Sequence, residues 1–237
     1  MRNALTIAQK ELNTYFASPV AYVVTAFFML VMGYFFYLIL VLSREASLRG
    51  LFSNMAVILL FVTPFLTMRL LAEEQRMGTI ELLLTSPVRD WQVVLGKFLG
   101  ALAFLLFMLA LTLIYPLLLS RFGAPDWGPV LTGYLGVLLI GAACLAVGLF
   151  ASSLSQNQIV TGFVAFALLI ILWLLGAAAQ AVGSGALGSL FDYLAINTHF
   201  DDFVRGVVDT QHIAYYLILT ALFLFLATRV VEARRWR

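Results

Sequence analysis

The chain alternates between long apolar runs and short polar intervals, and six of the runs are long enough to cross a bilayer. A helix rises about 1.5 Å per residue, so about 20 apolar residues span a hydrocarbon core of about 30 Å. The pattern therefore predicts an all-α polytopic membrane protein that forms a single transmembrane domain. The six predicted spans are residues 20–42, 51–71, 93–119, 130–150, 159–179 and 213–228.

Residues 1–18 have a different, amphipathic pattern. One helical stripe carries apolar side chains, and polar side chains lie mostly around the other side. The apolar stripe consists of Leu5, Ala8, Leu12, Tyr15 and Phe16, and the polar side of Arg2, Gln9, Lys10, Glu11 and Asn13. We expect an interfacial helix lying on the lipid bilayer. A cleaved signal peptide fits less well, because no A-x-A-like site ends the apolar run that follows.

A charged and then leucine-rich segment, EEQRMGTIELLLTSP at residues 73–87, separates the second and third predicted spans. Gly78 ends the preceding element, Thr79 can cap a new helix, and Glu81 lies in its first turn. Pro87 biases Ser86 out of helix, so only about two turns are expected. The apolar face of this helix is Ile80, Leu82, Leu83 and Leu84. Either a partner protein or the lipid interface must cover that face.

The connection before the last span, residues 181–211, is too apolar for a free loop. We expect short re-entrant helices that dip into the outer leaflet. Leu187, Phe191 and Phe203 are candidates for an outer gate, although simple packing explains them equally well.

Composition supports the membrane assignment and narrows the function. Hydrophobic residues make up 63% of the chain and charged residues 11%, with a mean hydropathy of +1.01, whereas about a quarter of a soluble domain is charged. A net charge of +2 without a basic patch argues against nucleic-acid binding. The single cysteine, Cys144, excludes an internal disulfide.

The distribution of lysine and arginine predicts the orientation. With the N-terminus inside, most basic residues fall on the cytoplasmic side, which favours both termini in the cytoplasm. The cytoplasmic set is Arg2, Lys10, Arg69, Arg76, Arg89, Lys97, Arg229, Arg234, Arg235 and Arg237, and the outer set is Arg44, Arg49, Arg121 and Arg205. Lys97, near the start of the third span, is expected to snorkel to the surface.

The sequence predicts no catalytic, cofactor or metal site. The G-x-G-x-x-G match at residues 183–188 follows a span rather than a strand, and no G-x-x-x-x-G-K-[ST] motif occurs. His199 and His212, the only two histidines, lack ligand spacing with the nearby aspartates, so a solvated helix with acidic caps is preferred to a metal site. The chain itself is therefore not expected to bind ATP through a P-loop.

The segment at residues 73–87, followed by Trp91 and by GKFLG at residues 96–100, resembles the signature of type-2 ABC exporter permeases. The resemblance extends along the chain to Lys10-Glu11 and Ser18-Pro19, PFLTMR at residues 64–69, ASSLSQNQ at residues 151–158, and the stretch from His199 to Thr210. That last combination is most similar to the gliding-motility-associated, GldF-like permeases.

The resemblance implies a function and partners. In such families six spans form half of a translocation pathway, two halves pair as copies or paralogues, and each half docks an ATPase subunit that binds ATP and Mg²⁺. The N-terminal helix and the loop helix at residues 79–86 make the dock, flanked by Glu73, Glu74 and Arg76. The GldF-like resemblance also implies a bacterial cytoplasmic (inner) membrane and an auxiliary membrane subunit with an extracytoplasmic domain.

Two other functions remain open at the level of sequence. An ion-coupled secondary transporter or channel is disfavoured because the spans carry no Asp, Glu, Lys or Arg away from their ends. An intramembrane enzyme is disfavoured because no Ser/His, paired-Asp or His-rich arrangement lies within the spans.

Overall fold

The computed structural model describes residues 2–43, 47–78, 89–123, 126–183 and 185–234. Within these ranges the regular secondary structure is entirely α-helical, which confirms the predicted fold class. The helices are α1 (Arg2–Ala17), α2 (Pro19–Ser43), α3 (Arg49–Thr67), α4 (Ala72–Arg76), α5 (Asp90–Thr112), α6 (Ile114–Phe122), α7 (Trp127–Leu154), α8 (Gln158–Val182), α9 (Ala186–Leu194), α10 (Asp201–Arg205) and α11 (Thr210–Arg234).

Six stretches within the described ranges are long and apolar enough to cross a membrane. They are Pro19–Val41, Arg49–Arg76, Asp90–Arg121, Trp127–Leu154, Gln158–Val182 and Thr210–Ala233. Burial divides them: 72% of the apolar window is buried in the second and fourth, but only 22% in the first, fifth and sixth. Helices α3 and α7 therefore form the centre of the bundle, and the outer helices keep apolar faces of the kind that lipid covers.

Two of the spans are interrupted, and a proline lies near each break. Helix α3 continues one turn beyond Pro64 to Thr67, and a turn over residues 68–71 then leads into α4. The third span breaks at Leu113, between α5 and α6. Pro116 has no N–H to donate to the carbonyl of Thr112, the last residue of α5, so the α-helical ladder stops there.

The chain direction gives the bundle two distinct ends. Helix α1 packs on α5 at one end of the bundle, called the α1 end, where it also meets α2 and the end of α3. Its Tyr15 hydroxyl donates a hydrogen bond to the carbonyl of Leu66, near the end of α3, at 2.7 Å. Because α2 and α3 are antiparallel, the end of α2 and the start of α3 lie at the opposite end, called the far end.

The short helices predicted before the last span are present at the far end as α9 and α10. Gly206, with φ of +95°, ends α10 in the left-handed region that glycine adopts most readily. The Tyr216 hydroxyl on α11 donates to the Ile196 carbonyl at 2.7 Å, and the Ile196 N–H donates to the Leu172 carbonyl on α8 at 3.2 Å. The far-end hairpin, defined as residues 186–206, is thus tied to both flanking spans.

Candidate functional site

Lysine 97 and two glutamates form a buried ion cluster at the α1 end. Lys97 Nζ lies 2.8 Å from Glu11 Oε1 and 3.0 Å from Glu74 Oε2, and only 1% of the Lys97 side chain is exposed. Lys10 Nζ approaches Glu74 Oε1 at 3.5 Å from the solvent side. Two cations and two anions balance one another, which allows Lys97 and the two carboxylates to be buried while Lys10 stays exposed at the edge. We call Lys10, Glu11, Glu74 and Lys97 the buried ion cluster.

The buried ion cluster corrects two expectations from the sequence. Glu11 was expected on the polar side of α1, but it faces the protein and is 8% exposed. Lys97 was expected to snorkel outward, but its ammonium group lies between the two carboxylates. Both differences have the same cause: α1 packs along α5. This packing turns Glu11 toward α5 and covers the face of α5 that carries Lys97.

Two glycines on α5 allow this close approach of α1. A Cβ added at Gly96 would lie 2.7 Å from Ile7 Cβ, and one at Gly100 would lie 2.7 Å from Glu11 Cβ. Both distances are shorter than real side-chain contacts, so larger residues would push α1 away. The G-x-x-x-G spacing therefore serves a contact within the chain.

The segment that precedes the predicted coupling helix is held by α7. Ser152 Oγ accepts hydrogen bonds from the backbone N–H groups of Leu71 at 2.9 Å and Ala72 at 3.1 Å. Gln75 Nε2 donates to the Ser153 carbonyl at 3.2 Å. Helix α7 extends through these serines to Leu154, so the turn after α3 rests on a rigid helix end.

A second ion pair joins this segment to the corner between α1 and α2. Arg69 Nε donates to Glu73 Oε2 at 3.0 Å, and Arg69 Nη1 donates to Ser18 Oγ at 3.1 Å. Glu73 and Arg69 are each about one-third exposed, so this pair contributes less than about 1 kcal/mol and mainly fixes orientation.

The predicted coupling segment is described only as far as Gly78. Arg76 ends α4 and is exposed, and Gly78 has φ of +69°, so the chain turns there in the conformation that favours glycine. The remaining coupling residues lie outside the described residues: Thr79, Ile80, Glu81, Leu82, Leu83, Leu84, Ser86 and Pro87. The helix at residues 79–86 stays a prediction.

The other predicted residues of the interfacial helix lie on different faces of α1. Leu5 is 61% exposed, and Lys10 is also exposed. Leu12 and Phe16 are half-buried against the core, where Phe16 packs edge-on against Phe107 with ring centroids 5.0 Å apart. Helix α1 therefore keeps one face on the protein and leaves Leu5 free for lipid.

Tyr15 shows how tightly α1 is held. Burial is the main cause that raises the pKa of its phenol above the ordinary value, and the nearby Glu11 carboxylate raises it further. The Tyr15 hydroxyl therefore keeps its proton, and its bond to the Leu66 carbonyl, throughout the physiological pH range.

The three residues predicted for an outer gate do not form one surface. Leu187 on α9 is 61% exposed, Phe191 is half-buried, and Phe203 on α10 is fully buried. Phe203 packs against Gly136 of α7, where an added Cβ would lie 2.7 Å from Phe203 Cβ. A gating role for the three stays a prediction.

The buried ion cluster is the feature of this site that sequence reasoning missed. Its signal was present: Lys97 interrupts an apolar run directly after Gly96, and two acidic residues, Glu11 and Glu74, lie in the segments now found beside it. None of these side chains is arranged for bond-making chemistry. In the parts of the chain that the structure describes, no group of three or more His, Cys, Asp or Glu residues could hold a metal ion.

The site is therefore a set of contacts that fixes helices to one another, and the comparisons agree with a transport role. The family described as ABC-2 family transporter protein matches residues 5–234. No curated protein matches the chain. The family match indicates a transport subunit that is not itself catalytic, and it implies ATPase partner subunits. With nearly its whole length matched and six helices suited to cross a membrane, the chain belongs to the ABC-2 transporter family, as a multi-pass permease component of an ABC transporter.

Proposed function

We propose that this chain is the transmembrane subunit of an ATP-driven exporter of the bacterial cytoplasmic (inner) membrane, with both termini in the cytoplasm. It pairs with a second permease, either another copy or a paralogue, and couples to separate ATPase subunits through the loop helix at residues 79–86. The distribution of basic residues supports this orientation, and the resemblance of residues 73–87 to exporter permeases supports this docking site.

The buried ion cluster is the observation that carries the proposal. Glu74 precedes the proposed coupling helix at residues 79–86, Lys97 follows it, and Glu11 belongs to α1. One ammonium group thus joins three chain segments around the proposed dock. A force applied to residues 79–86 would reach α1, α4 and α5 together.

The electrostatics explain why these elements would move as one unit. Separating Lys97 from either glutamate inside the protein leaves an uncompensated buried charge, which costs about 3–5 kcal/mol. Close packing at Gly96 and Gly100 resists sliding of α1 along α5. The hydrogen bonds that Ser152 accepts from the turn before α4, here called the Ser152 clamp, hold that turn on α7. Closure of the ATPase subunits is therefore transmitted as a rigid-body shift rather than absorbed locally.

Such coupling requires that the dock persist in both conformations of the transporter. A ligand shifts a conformational equilibrium only by its differential affinity for the two states. ATP binds the partner subunits together with Mg²⁺, so the chain's own contribution is to hold the coupling helix in a fixed geometry while its position changes.

The GldF-like resemblance extends the proposal to a further partner. The resemblance implies an auxiliary membrane subunit with an extracytoplasmic domain. The stretch from His199 to Thr210 is the part of the chain on which this resemblance rests. Co-purification of such a subunit with the intact complex would test this part of the proposal.

The coupling is tested by transport-linked ATPase activity in a complex reconstituted in liposomes. Leu83→Asp places a charge on the apolar face of the proposed coupling helix. This variant is expected to lose the part of the ATPase activity that is linked to transport. Trp127→Asp, a change of an exposed apolar residue at the N-terminus of α7, is the matched control and should leave the activity unchanged. Normal coupled activity in Leu83→Asp would overturn the docking assignment.

A further inference from the structure

Two histidines at the far end face each other in an arrangement that the transport role does not use. His199 Nδ1 and His212 Nδ1 are 2.8 Å apart. His199 Nε2 lies 2.9 Å from the Tyr193 carbonyl, and His212 Nε2 lies 2.8 Å from Asp202 Oδ2. The four groups form a continuous chain from α9, through both imidazoles, to α10.

The partners of the outer ring nitrogens determine how many protons the pair holds. A backbone carbonyl and an ionised carboxylate only accept hydrogen bonds, so both Nε2 atoms must carry hydrogen. If both rings were neutral, each Nδ1 would then present a lone pair to the other at 2.8 Å. That contact becomes a hydrogen bond only when a third proton lies between the two Nδ1 atoms.

The surroundings favour a single extra proton. His199 is buried, and this burial is the main cause that lowers its pKa below the ordinary value. His212 is partly exposed, and its Nε2 lies 2.8 Å from Asp202 Oδ2, so a carboxylate is in place to balance an extra proton on this ring. In this arrangement, protonated His212 donates a hydrogen bond from its Nδ1 to Nδ1 of neutral His199, and Asp202 balances the charge.

Other titratable groups face the pair from every packed element. Helix α9 contributes Tyr193 and Asp192, α10 contributes Asp202, and α11 contributes Tyr215 and Tyr216, with Asp201 close enough to Tyr216 to interact with it. Helix α7, whose sequence carries no charged residue, contributes the Cys144 thiol beside the two tyrosines. The nearby charges are therefore acidic, which favours one bound proton over none.

We propose that His199 and His212 form a proton-binding site whose occupancy latches the far-end hairpin to the start of the last span. The latch is closed while one extra proton is shared between the rings. Loss of that proton at high pH brings two lone pairs face to face, and gain of a second at low pH brings two N–H groups face to face. The closed arrangement therefore occupies an intermediate pH window.

The proton count can be measured directly, because the full chain contains only these two histidines. Long-range ¹H–¹⁵N spectra of the purified chain, labelled with ¹⁵N-histidine in detergent, report the protonation of each ring nitrogen. We expect three ring protons on the pair within the intermediate pH window, with both Nε2 atoms protonated and one proton shared between the Nδ1 atoms. Two neutral rings with unprotonated Nδ1 atoms would overturn the proposal.

A titration with Zn²⁺ tests whether a proton or a metal ion occupies the space between the two Nδ1 atoms. The short Nδ1–Nδ1 distance suits a shared proton, since Zn²⁺ needs about 2.0–2.1 Å to each nitrogen and four ligands. Added Zn²⁺ is expected to leave the shared-proton signal in place. Stoichiometric replacement of that signal by Zn²⁺, reversed by EDTA, would overturn the proposal.

The latch itself is tested by amide hydrogen exchange in residues 195–206, corrected for the intrinsic pH dependence. In the wild-type chain, exchange should be about tenfold slower inside the pH window than on either side of it, as expected for a charge-assisted hydrogen bond. His212→Gln should remove this pH dependence, whereas Gln180→Ala, an exposed change at the same end, should keep it. A flat wild-type profile, or one that persists in His212→Gln, would contradict the latch.

Discussion

Lys97 and Glu11 are 86 residues apart in sequence, yet Lys97 Nζ lies 2.8 Å from Glu11 Oε1 in a site where Lys97 is almost fully buried. Glu74 completes the arrangement at 3.0 Å. The N-terminal helix and the segments on both sides of residues 79–88 are therefore joined by charges that water barely reaches. This relationship gives the proposed coupling its mechanical basis.

Lys97→Met is expected to destabilise the folded chain by about 3–5 kcal/mol, because it leaves Glu11 and Glu74 buried without their main cation. The measurement is the thermal unfolding midpoint of the purified chain in detergent. Combining Lys97→Met with Glu11→Gln and Glu74→Gln removes the uncompensated charge and should recover most of the loss.

Arg229→Met is the matched control for the removal of a cation. Arg229 Nη1 lies 2.8 Å from Glu232 Oε2, but both side chains are well exposed, so the expected loss is below about 1 kcal/mol. Equal losses of stability for Lys97→Met and Arg229→Met would show that the buried ion cluster stabilises the fold no more than an exposed ion pair does.

Gly96→Ala is expected to loosen α1. The added Cβ would lie 2.7 Å from Ile7 Cβ and 2.8 Å from the Ala4 carbonyl oxygen, so α1 must shift at a cost of about 1–3 kcal/mol. Amide hydrogen exchange of residues 2–17 should increase. Gly33→Ala is the control: its Cβ would meet only Tyr115 Oη at 3.6 Å, and exchange in α1 should stay as in the wild type.

Ser152→Ala is expected to weaken the support of α4. It removes the acceptor of the Leu71 and Ala72 N–H groups, and leaving buried donors unpaired costs about 1–3 kcal/mol each. Denaturant unfolding of the purified chain measures the loss. Ser189→Ala, where the serine is exposed, should change stability by less than about 0.5 kcal/mol, and a similar value for Ser152→Ala would contradict the clamp.

The sequence was sufficient to predict the fold class and the number of spans, because membrane crossing depends on local properties. Apolar length and polar interruptions are visible in a single segment such as Trp127–Leu154. The short helices before the last span were predictable for the same reason, since their apolar residues recur at helical spacing.

The buried ion cluster was not predictable, because it depends on which helices pack together. Lys97 at the edge of a span is compatible with snorkelling or with burial, and only the position of α1 decides between them. The amphipathic stripe of residues 1–18 pointed to the lipid, whereas the structure places Glu11 against α5. Tertiary charge pairing thus overrode the local pattern.

The histidine pair illustrates the same limit. His199 and His212 showed no ligand spacing, and a solvated acidic segment was the preferred interpretation. Their contact arises because Gly206 reverses the chain after α10 and returns it to the start of α11. No single-segment pattern encodes that juxtaposition.

The most direct measurement is a mild-detergent pull-down of the chain from its native membrane, with mass spectrometry and an ATPase assay of the eluate. Wild type and Trp127→Asp are expected to recover a P-loop ATPase, and Leu83→Asp is expected to lose it while remaining folded in the membrane. Equal recovery of the ATPase by Leu83→Asp and by the wild type would contradict docking through residues 79–86.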